Sequence, residues 1–269
     1  MGAASFARLD AVKRALMILA AMAACLQLNL AAAQFYGRRA PDLVPVGPPK
    51  AEFHMARMAY TSRGCAGSRG YCNPMWAIDY PLAELHFLPA VARMTRIEVS
   101  EDSAHIQLSD ASLFDYPWLF AQQVSQGNWS PSDRDLEQLR EYLMRGGFLV
   151  FDDFHGEYEW QYFQTIMTQL LPGRRIIDIP EDDMLMHILF DLDERTQIPG
   201  ERHLGWQRME GPPHWRGIYD DEDRLMVAIN HNIDMGDAWE HADDARYPAP
   251  MTATAYRFGV NYVIYAMTH

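Results

Sequence analysis

Residues 146–160 read Gly-Gly-Phe-Leu-Val-Phe-Asp-Asp-Phe-His-Gly-Glu-Tyr-Glu-Trp. The apolar run Phe148–Phe151 lies between a glycine pair and two aspartates, which predicts a strand buried on both faces, as in a parallel sheet. In open α/β sheets, ligands bind just beyond the carboxyl ends of the strands. The titratable residues after the run are therefore candidates for a functional site: Asp152, Asp153, His155, Glu157 and Glu159. Alternatively, the two aspartates only cap the next helix and His155 satisfies a backbone carbonyl.

Strand and helix patterns alternate around this run. Tyr116–Phe120 is a predicted strand, and the Ser130–Pro131 pair marks the start of a helix that ends at Gly146. A second helix is expected from about Glu159 to Leu170, followed by a strand over Arg174–Ile179. This order is typical of a parallel sheet with right-handed crossovers.

The segments on the amino-terminal side add further elements. A first strand is predicted over Phe53–Tyr60, and a helix begins near Pro81. Pro89 is expected to bend that helix or end it early. Ile97–Val99 and His105–Leu108 are short strand candidates.

The last third of the chain has a different pattern. Arg216–Tyr219 and Leu225–Ile229 predict a hairpin, and Thr254–Met267 predicts a final helix. The whole pattern therefore predicts an α/β fold with a mostly parallel sheet, plus a C-terminal hairpin and helix.

The amino terminus has the pattern of a secretory signal peptide. Arg8, Lys13 and Arg14 form a basic segment, Ala15–Leu30 is apolar, and three alanines precede Gln34. We expect cleavage after the last of these alanines, Ala33. The predicted organisation is then a signal peptide over residues 1–33, a Pro-rich tether over 34–50 and a single α/β domain over 51–269.

An alternative processing site lies at Met22–Cys25, which resembles a lipoprotein box with Met in the usual place of Leu. Later segments are not apolar enough to span a bilayer, which takes about 20 residues. We therefore expect a periplasmic or secreted protein without a membrane span in the mature chain. A lipoprotein anchored at Cys25 is the second option.

The charge of the chain excludes one class of partner. The predicted leader carries three of the 23 basic and one of the 36 acidic residues, which leaves 20 basic and 35 acidic residues and a formal charge of −15. Such a field repels a phosphate backbone, so nucleic acid is excluded as a partner. Metals, cationic ligands and polar sugars remain candidates.

Cys65 and Cys72 frame a Gly-rich loop. Two cysteines in an exported chain predict a disulfide, which would staple this loop. Their spacing is too wide for a Cys-x-x-Cys redox motif, and two thiolates alone make a poor zinc site.

Seven stretches match a known bacterial family: residues 76–84, 113–117, 139–148, 152–156, 159–160, 236–240 and 261–269. On these stretches the chain resembles the family named domain of unknown function 4159. The resemblance implies a flavodoxin-like, three-layer α/β sandwich, distantly similar to class I glutamine amidotransferase-like domains, and implies no activity. Asp153 and Phe154 stand where such a domain would carry its nucleophilic cysteine, which excludes thiol-based amidotransfer.

Asp152, Asp153, His155 and Glu159 combine oxygen ligands with one imidazole, a set suited to zinc, manganese, iron or magnesium with bound water. His155 and Glu159 share a helix face if the helix has begun by then. A bound metal would lower the pKa of its water toward about 7 and so provide a nucleophile. Alternatively, Glu159 only stabilises the amino end of the helix and His155 is a buried hydrogen-bonding residue.

A second cluster comprises Asp234, Asp237, Glu240 and His241. Asp237 and Glu240 also fit a capping box, whereas Asp237 and His241 would share a helix face. If this cluster meets the strand end at Asp153, the closely spaced carboxylates require a cation.

Three further residues are candidates for the ligand-binding rim. Asp79 and Glu84 lie near the first predicted helix, and Trp160 lies beside an acidic motif, as several of the seven tryptophans do. Aromatic faces next to carboxylates suit sugar rings or cationic groups. Core packing is the alternative for each tryptophan.

Two functions remain. The first is an exported ligand- or metal-binding domain of the cell envelope, with an acidic, Trp-rich site that holds a small molecule, a glycan or an envelope protein. The second is a metal-assisted hydrolase acting on a cell-envelope or glycan substrate. One divalent metal ion is the expected cofactor of the hydrolase, and also of the binding domain if its ligand is a metal.

Overall fold

A seven-stranded sheet forms the centre of the fold. The computed structural model describes residues 47–61, 65–66, 73–125, 127–204 and 211–269. In chain order, the strands are β1 (Ala56–Met58), β2 (Cys65–Ala66), β3 (Asn73–Pro74), β4 (Ala104–Ile106), β5 (Trp118–Gln122), β6 (Phe148–Phe154), β7 (Ile177–Asp178), β8 (His214–Tyr219) and β9 (Leu225–His231). The large sheet has the order β4-β1-β5-β6-β9-β8-β7, and β2 and β3 pair separately.

The strand predicted from the apolar run, β6, occupies the middle of this sheet. All of its residues are buried, and it pairs in parallel with β5 on one side and β9 on the other. β1 and β4 extend the parallel part, whereas β8 runs antiparallel to β9. The sheet is therefore mostly parallel, as predicted.

Helices cover both faces of the sheet. Those described are α1 (Leu82–Met94), α2 (Asp133–Met144), α3 (Gly156–Leu170), α4 (Glu201–Leu204), α5 (Met235–Glu240) and α6 (Ala249–Thr268). Residues of α1, α5 and α6 share one hydrophobic core with alternate residues of the sheet, and those of α2 and α3 share the other. In β6, Phe148 and Val150 face the first core, and Leu149 and Phe151 face the second. The fold is thus a three-layer α/β sandwich, which confirms the predicted fold class.

The start of α2 differs slightly from the prediction. Ser132, not Ser130, is its N-cap, and it forms a capping box with Asp135. The Asp135 backbone N–H donates to Ser132 Oγ at 3.2 Å, and the Ser132 backbone N–H donates to Asp135 Oδ2 at 2.9 Å. Two unpaired amides at the helix start are satisfied in this way, which outweighs the preference of Pro131 for the first helical position.

Pro89 does not end α1 early, because the helix continues through it to Met94. Phe87 and Leu88 before the proline and Val91 after it are all buried in the same core. Packing of this continuous apolar face offsets the loss of the backbone hydrogen bond that a proline cannot donate in the helix interior.

The predicted strand over Arg174–Ile179 is also largely wrong. Only Ile177–Asp178 forms a strand, β7, and it pairs antiparallel with β8 at the edge of the sheet. Both of its residues are exposed. The place beside β6 is taken by β9, from the hairpin that the sequence does predict. The strand over Phe53–Tyr60 is shortened to β1, and Val99 contributes an isolated bridge to Phe53.

Several predictions fall on residues outside the described ranges. They concern the signal peptide, most of the Pro-rich tether, Cys72, the side chain of Cys65, and Trp206. Within the described ranges, each helix is too short or too polar to cross a membrane.

Candidate metal centre

An acidic cleft of about 610 Å³ opens at the carboxyl ends of β5, β6 and β9. Because parallel strands end at one edge of a sheet, residues that are far apart in the sequence meet here. The cleft brings together eight of the predicted site residues: Asp79, Asp153, His155, Glu159, Asp234, Asp237, Glu240 and His241.

The end of β6 supplies the first part of the cleft. His155 is the N-cap residue of α3, and Glu159 Oε2 accepts a hydrogen bond of 2.6 Å from its backbone N–H. Glu159 therefore does cap the helix start, as one of the alternatives predicted, while it also lines the cleft. The His155 ring lies with Nε2 3.0 Å from Asp153 Oδ1. His155 Nδ1 is buried and has no hydrogen-bond partner among the described residues.

Backbone strain marks this edge of the sheet. Asp153 has a φ of 56°, Gln123 after β5 has 53°, and Asn232 after β9 has 60°. Non-glycine residues in this left-handed region carry a cost of about 1–3 kcal/mol each, and such residues concentrate at functional sites. Gln123 Nε2 donates to Asp153 Oδ2 at 2.7 Å, which fixes this carboxylate at the cleft.

The short helix α5 and its two cap residues supply the second part of the cleft. Asp234 is the N-cap residue, and its Oδ1 accepts a hydrogen bond of 2.8 Å from the Asp237 backbone N–H. Asp237 Oδ2 accepts one of 2.6 Å from the Glu201 backbone N–H. His241 Nε2 lies 3.9 Å from Asp237 Oδ1 and 3.8 Å from Glu240 Oε2. Asp234, not Asp237, is therefore the N-cap of α5. The same cluster of residues also lines the cleft.

Asp79 reaches the same place from the loop before α1. Its Oδ2 accepts a hydrogen bond of 2.6 Å from Gln122 Nε2, and 7% of the residue is exposed. A Cβ atom on Gly236 would lie 2.2 Å from Asp79 Oδ2 and 1.9 Å from Gln122 Nε2. Only glycine at position 236 leaves room for Asp79 to approach the start of α5.

The pKa values of the cleft residues are shifted because several carboxylates are buried close to one another. Burial, together with Asp237 and Glu240, raises the pKa of Asp79 well above its usual value. Burial and the neighbouring Asp153 raise the pKa of Asp234 well above its usual value and also raise that of Asp237. Burial opposes protonation of His155, but its hydrogen bond to Asp153 and the nearby carboxylates outweigh it and raise its pKa. The cleft therefore favours binding of protons or cations.

The ligand atoms form three trios: Asp153, His155 and Asp234; Asp79, Asp234 and Asp237; and Asp237, Glu240 and His241. In each trio the ligand atoms lie within 4.8 Å of one another. Carboxylate oxygens with one or two imidazoles suit divalent cations such as Mn²⁺ and Zn²⁺.

Four candidate site residues lie outside the cleft, contrary to expectation: Asp152, Glu84, Glu157 and Trp160. Asp152 is fully buried, and its Oδ2 accepts hydrogen bonds of 2.8 and 3.1 Å from the backbone N–H groups of Met235 and Gly236. It thereby anchors the start of α5. Glu84 is buried in an ion pair with Arg57.

Trp160 also lies outside the cleft. Its ring stacks on that of His231 at a centroid distance of 4.9 Å, and the Arg216 guanidinium lies 4.3 Å from it on the ring face. Five other described tryptophans are buried in the cores: Trp76, Trp118, Trp129, Trp215 and Trp239. The described lining of the cleft contains no tryptophan. The expectation of a Trp-rich site is therefore wrong for this part of the chain.

The segment at α4 contributes residues that the sequence interpretation missed. Gly200, Arg202 and His203 line the cleft, and the His203 ring lies 5.0 Å from that of His155. A Cβ atom on Gly200 would lie 2.7 Å from Asp234 Oδ2 and 3.0 Å from Asp237 Oδ2. The available signal was the sequence Gly-Glu-Arg-His at 200–203, which places a charged triplet directly after a glycine.

The fold and the cleft together define a three-layer α/β domain with an acidic, histidine-containing cleft at the carboxyl edge of its sheet. The model of the family described as domain of unknown function (DUF4159) matches residues 54–267. The chain therefore belongs to this family, which confirms the resemblance found in the sequence. No curated protein matches the chain.

Proposed function

We propose that this protein is an exported domain of the cell envelope that binds divalent cations in its acidic cleft. The observation that supports the proposal best is the convergence of ligand atoms in the three trios, each within 4.8 Å. These residues come from the loop before α1, from the end of β6 with the N-cap of α3, and from α5 with its two cap residues. Convergence of carboxylates from separate elements is costly without a cation to neutralise them.

Burial adds to this cost. Asp79, Asp153 and Asp234 are 7%, 3% and 4% exposed, so their carboxylates are largely removed from water. Arg57, a fully buried cation, is already paired with Glu84, with Arg57 Nη2 2.8 Å from Glu84 Oε1. A divalent cation in the cleft would supply the missing charge.

Binding of Mn²⁺ to the chelator-treated protein tests this proposal. We expect isothermal titration to show saturable binding, and Asp234→Asn to weaken it by at least about tenfold. Asparagine keeps the N-cap of α5, because Asn and Asp cap helices about equally well. The loss would therefore report on the ligand atom and not on the helix.

Asp221→Asn is the matched control. It removes the same charge from the β8–β9 hairpin, where the Asp221 side chain is 83% exposed and pairs with Arg174. Mn²⁺ affinity should stay unchanged in this variant. Protein that binds no Mn²⁺ or Zn²⁺, or equal affinities in both variants, would contradict the proposal.

The export part of the proposal depends on the amino-terminal pattern and predicts a mature chain that begins at Gln34. Expression of the full chain with a carboxyl-terminal tag, followed by fractionation and amino-terminal sequencing, measures this directly. A lipid-modified Cys25 would identify the alternative anchor, and an unprocessed chain in the cytoplasm would refute export. Free-thiol titration of the exported protein tests the proposed disulfide between Cys65 and Cys72.

A further inference from the structure

The three trios are arranged in a row. The first, Asp153, His155 and Asp234, and the last, Asp237, Glu240 and His241, have no residue in common. The middle trio takes Asp234 from the first and Asp237 from the last and adds Asp79. Each end of the row thus has its own imidazole and two carboxylates, and the two ends adjoin at Asp234 and Asp237.

Polar atoms without a hydrogen-bond partner among the described residues occur at both ends of the row. Asp234 is 4% exposed, and while its Oδ1 accepts a hydrogen bond, its Oδ2 accepts none from the described residues. His155 Nδ1 is buried and likewise has no partner among them. At the other end, His241 Nε2 stands 3.8–3.9 Å from its two carboxylates, too far for hydrogen bonds. This spacing is slightly wider than the roughly 3–3.5 Å between two ligands that lie about 2.1 Å from one metal, so it leaves room for an ion between these groups.

Charge balance decides between one ion and two. The three trios contain five carboxylates: Asp79, Asp153, Asp234, Asp237 and Glu240. Among the described residues that line the cleft, the only arginine or lysine is Arg202, and it is exposed. When all five carboxylates are ionised, one divalent ion leaves three of the five negative charges uncompensated in a largely buried site, whereas two ions leave one.

We infer that the cleft binds two divalent cations, one held by Asp153, His155 and Asp234 and the other by Asp237, Glu240 and His241, with Asp79 between them. This inference rests on the proposed function and goes beyond it in stoichiometry and ligand assignment. Paired cations are the arrangement that metal-assisted hydrolysis uses to orient a water molecule and the oxygen atoms of its substrate.

Mn²⁺ stoichiometry tests the inference. The chelator-treated wild-type protein should bind two Mn²⁺ ions per chain, measured by titration calorimetry and by elemental analysis after gel filtration. His155→Ala and His241→Ala should each bind one ion. Electron paramagnetic resonance should show exchange-coupled Mn²⁺ in the wild-type protein and uncoupled Mn²⁺ in each variant. His187→Ala, which removes an exposed histidine outside the cleft, should keep two coupled ions.

The outcomes separate the two proposals. A wild-type protein that saturates with one uncoupled Mn²⁺ would overturn the two-ion inference and leave cation binding in place. A protein that binds no Mn²⁺ would overturn both. If His155→Ala does not fold, as judged by circular dichroism, Asp153→Asn replaces it at the same end of the row. Two coupled ions in both end variants would show that the ligand assignment is wrong.

Discussion

Replacement of Arg57 by leucine should lower the free energy of unfolding by about 3–5 kcal/mol, because it leaves a buried carboxylate without its cation. Arg57 is fully buried in β1, and its Nε donates to Glu84 Oε1 at 2.8 Å. Its Nη1 also donates to the backbone carbonyls of Trp76 and Ile78 at 3.2 and 3.0 Å. Urea unfolding of both proteins measures the loss.

The double variant Arg57→Leu, Glu84→Leu separates stability from function. Removal of both charges should restore much of the lost stability, because apolar residues often replace a buried ion pair at little net cost. Mn²⁺ affinity should be lower than that of the wild-type protein in both the single and the double variant, since both lack the contacts from Arg57 to the carbonyls of Trp76 and Ile78 that hold the loop carrying Asp79. A loss below about 1 kcal/mol in the single variant, typical of exposed pairs, would contradict a structural role for the pair.

The metal-free protein should become less stable as the pH rises above neutrality. The folded chain raises the pKa of Asp79, Asp234, Asp237 and Glu240, with burial as the main cause. The folded chain therefore still binds protons at a pH at which the unfolded chain has released them. The stabilisation that these protons contribute is present at low pH and is lost as the pH rises through the raised pKa values. His155, whose pKa is also raised, contributes in the same direction.

Buried neutral histidines act in the opposite direction at lower pH. Burial lowers the pKa of His105 and of His231 to about 4, so their effect ends once the unfolded histidines lose their protons near pH 6.5. Burial raises the pKa of Asp152 to about 8, so between about pH 7 and pH 9 we expect the free energy of unfolding to fall by at least about 1 kcal/mol, since one pKa unit of one group corresponds to about 1.4 kcal/mol. Urea unfolding across this range measures it.

Saturating Mn²⁺ should remove the decline, and Asp234→Asn should reduce it, because one of the shifted groups is gone. The hairpin variant Asp221→Asn serves again as the control and should retain the wild-type dependence. A metal-free protein whose stability rises between about pH 7 and pH 9 would show that the carboxylates are ionised in the fold without penalty.

Much of the fold follows from local patterns. The apolar run of β6, the hairpin and the final helix were predictable because short-range periodicity sets each of them. The identity of the strand beside β6 was not, since pairing between distant segments depends on the whole sheet. The continuation of α1 through Pro89 depends likewise on packing against the sheet, which no local signal reports.

The candidate site was likewise only partly predictable from the sequence. Convergence of Asp153 with the start of α5 was predictable, because parallel strands end at one edge. Assigning Asp152 and Asp153 to the same cleft neglected strand geometry, in which adjacent side chains point to opposite faces. His203 was missed because its position depends on long-range contacts, such as the hydrogen bond from the Glu201 backbone N–H to Asp237 Oδ2.

The φ of 56° at Asp153 has an evolutionary consequence. Glycine adopts that conformation without steric penalty, so a glycine there would relax the backbone while deleting a carboxylate from the cleft. At this position, relief of backbone strain and retention of a carboxylate for ligand binding therefore exclude each other. In family members that no longer bind a ligand in the cleft, we expect glycine to replace the aspartate at this position.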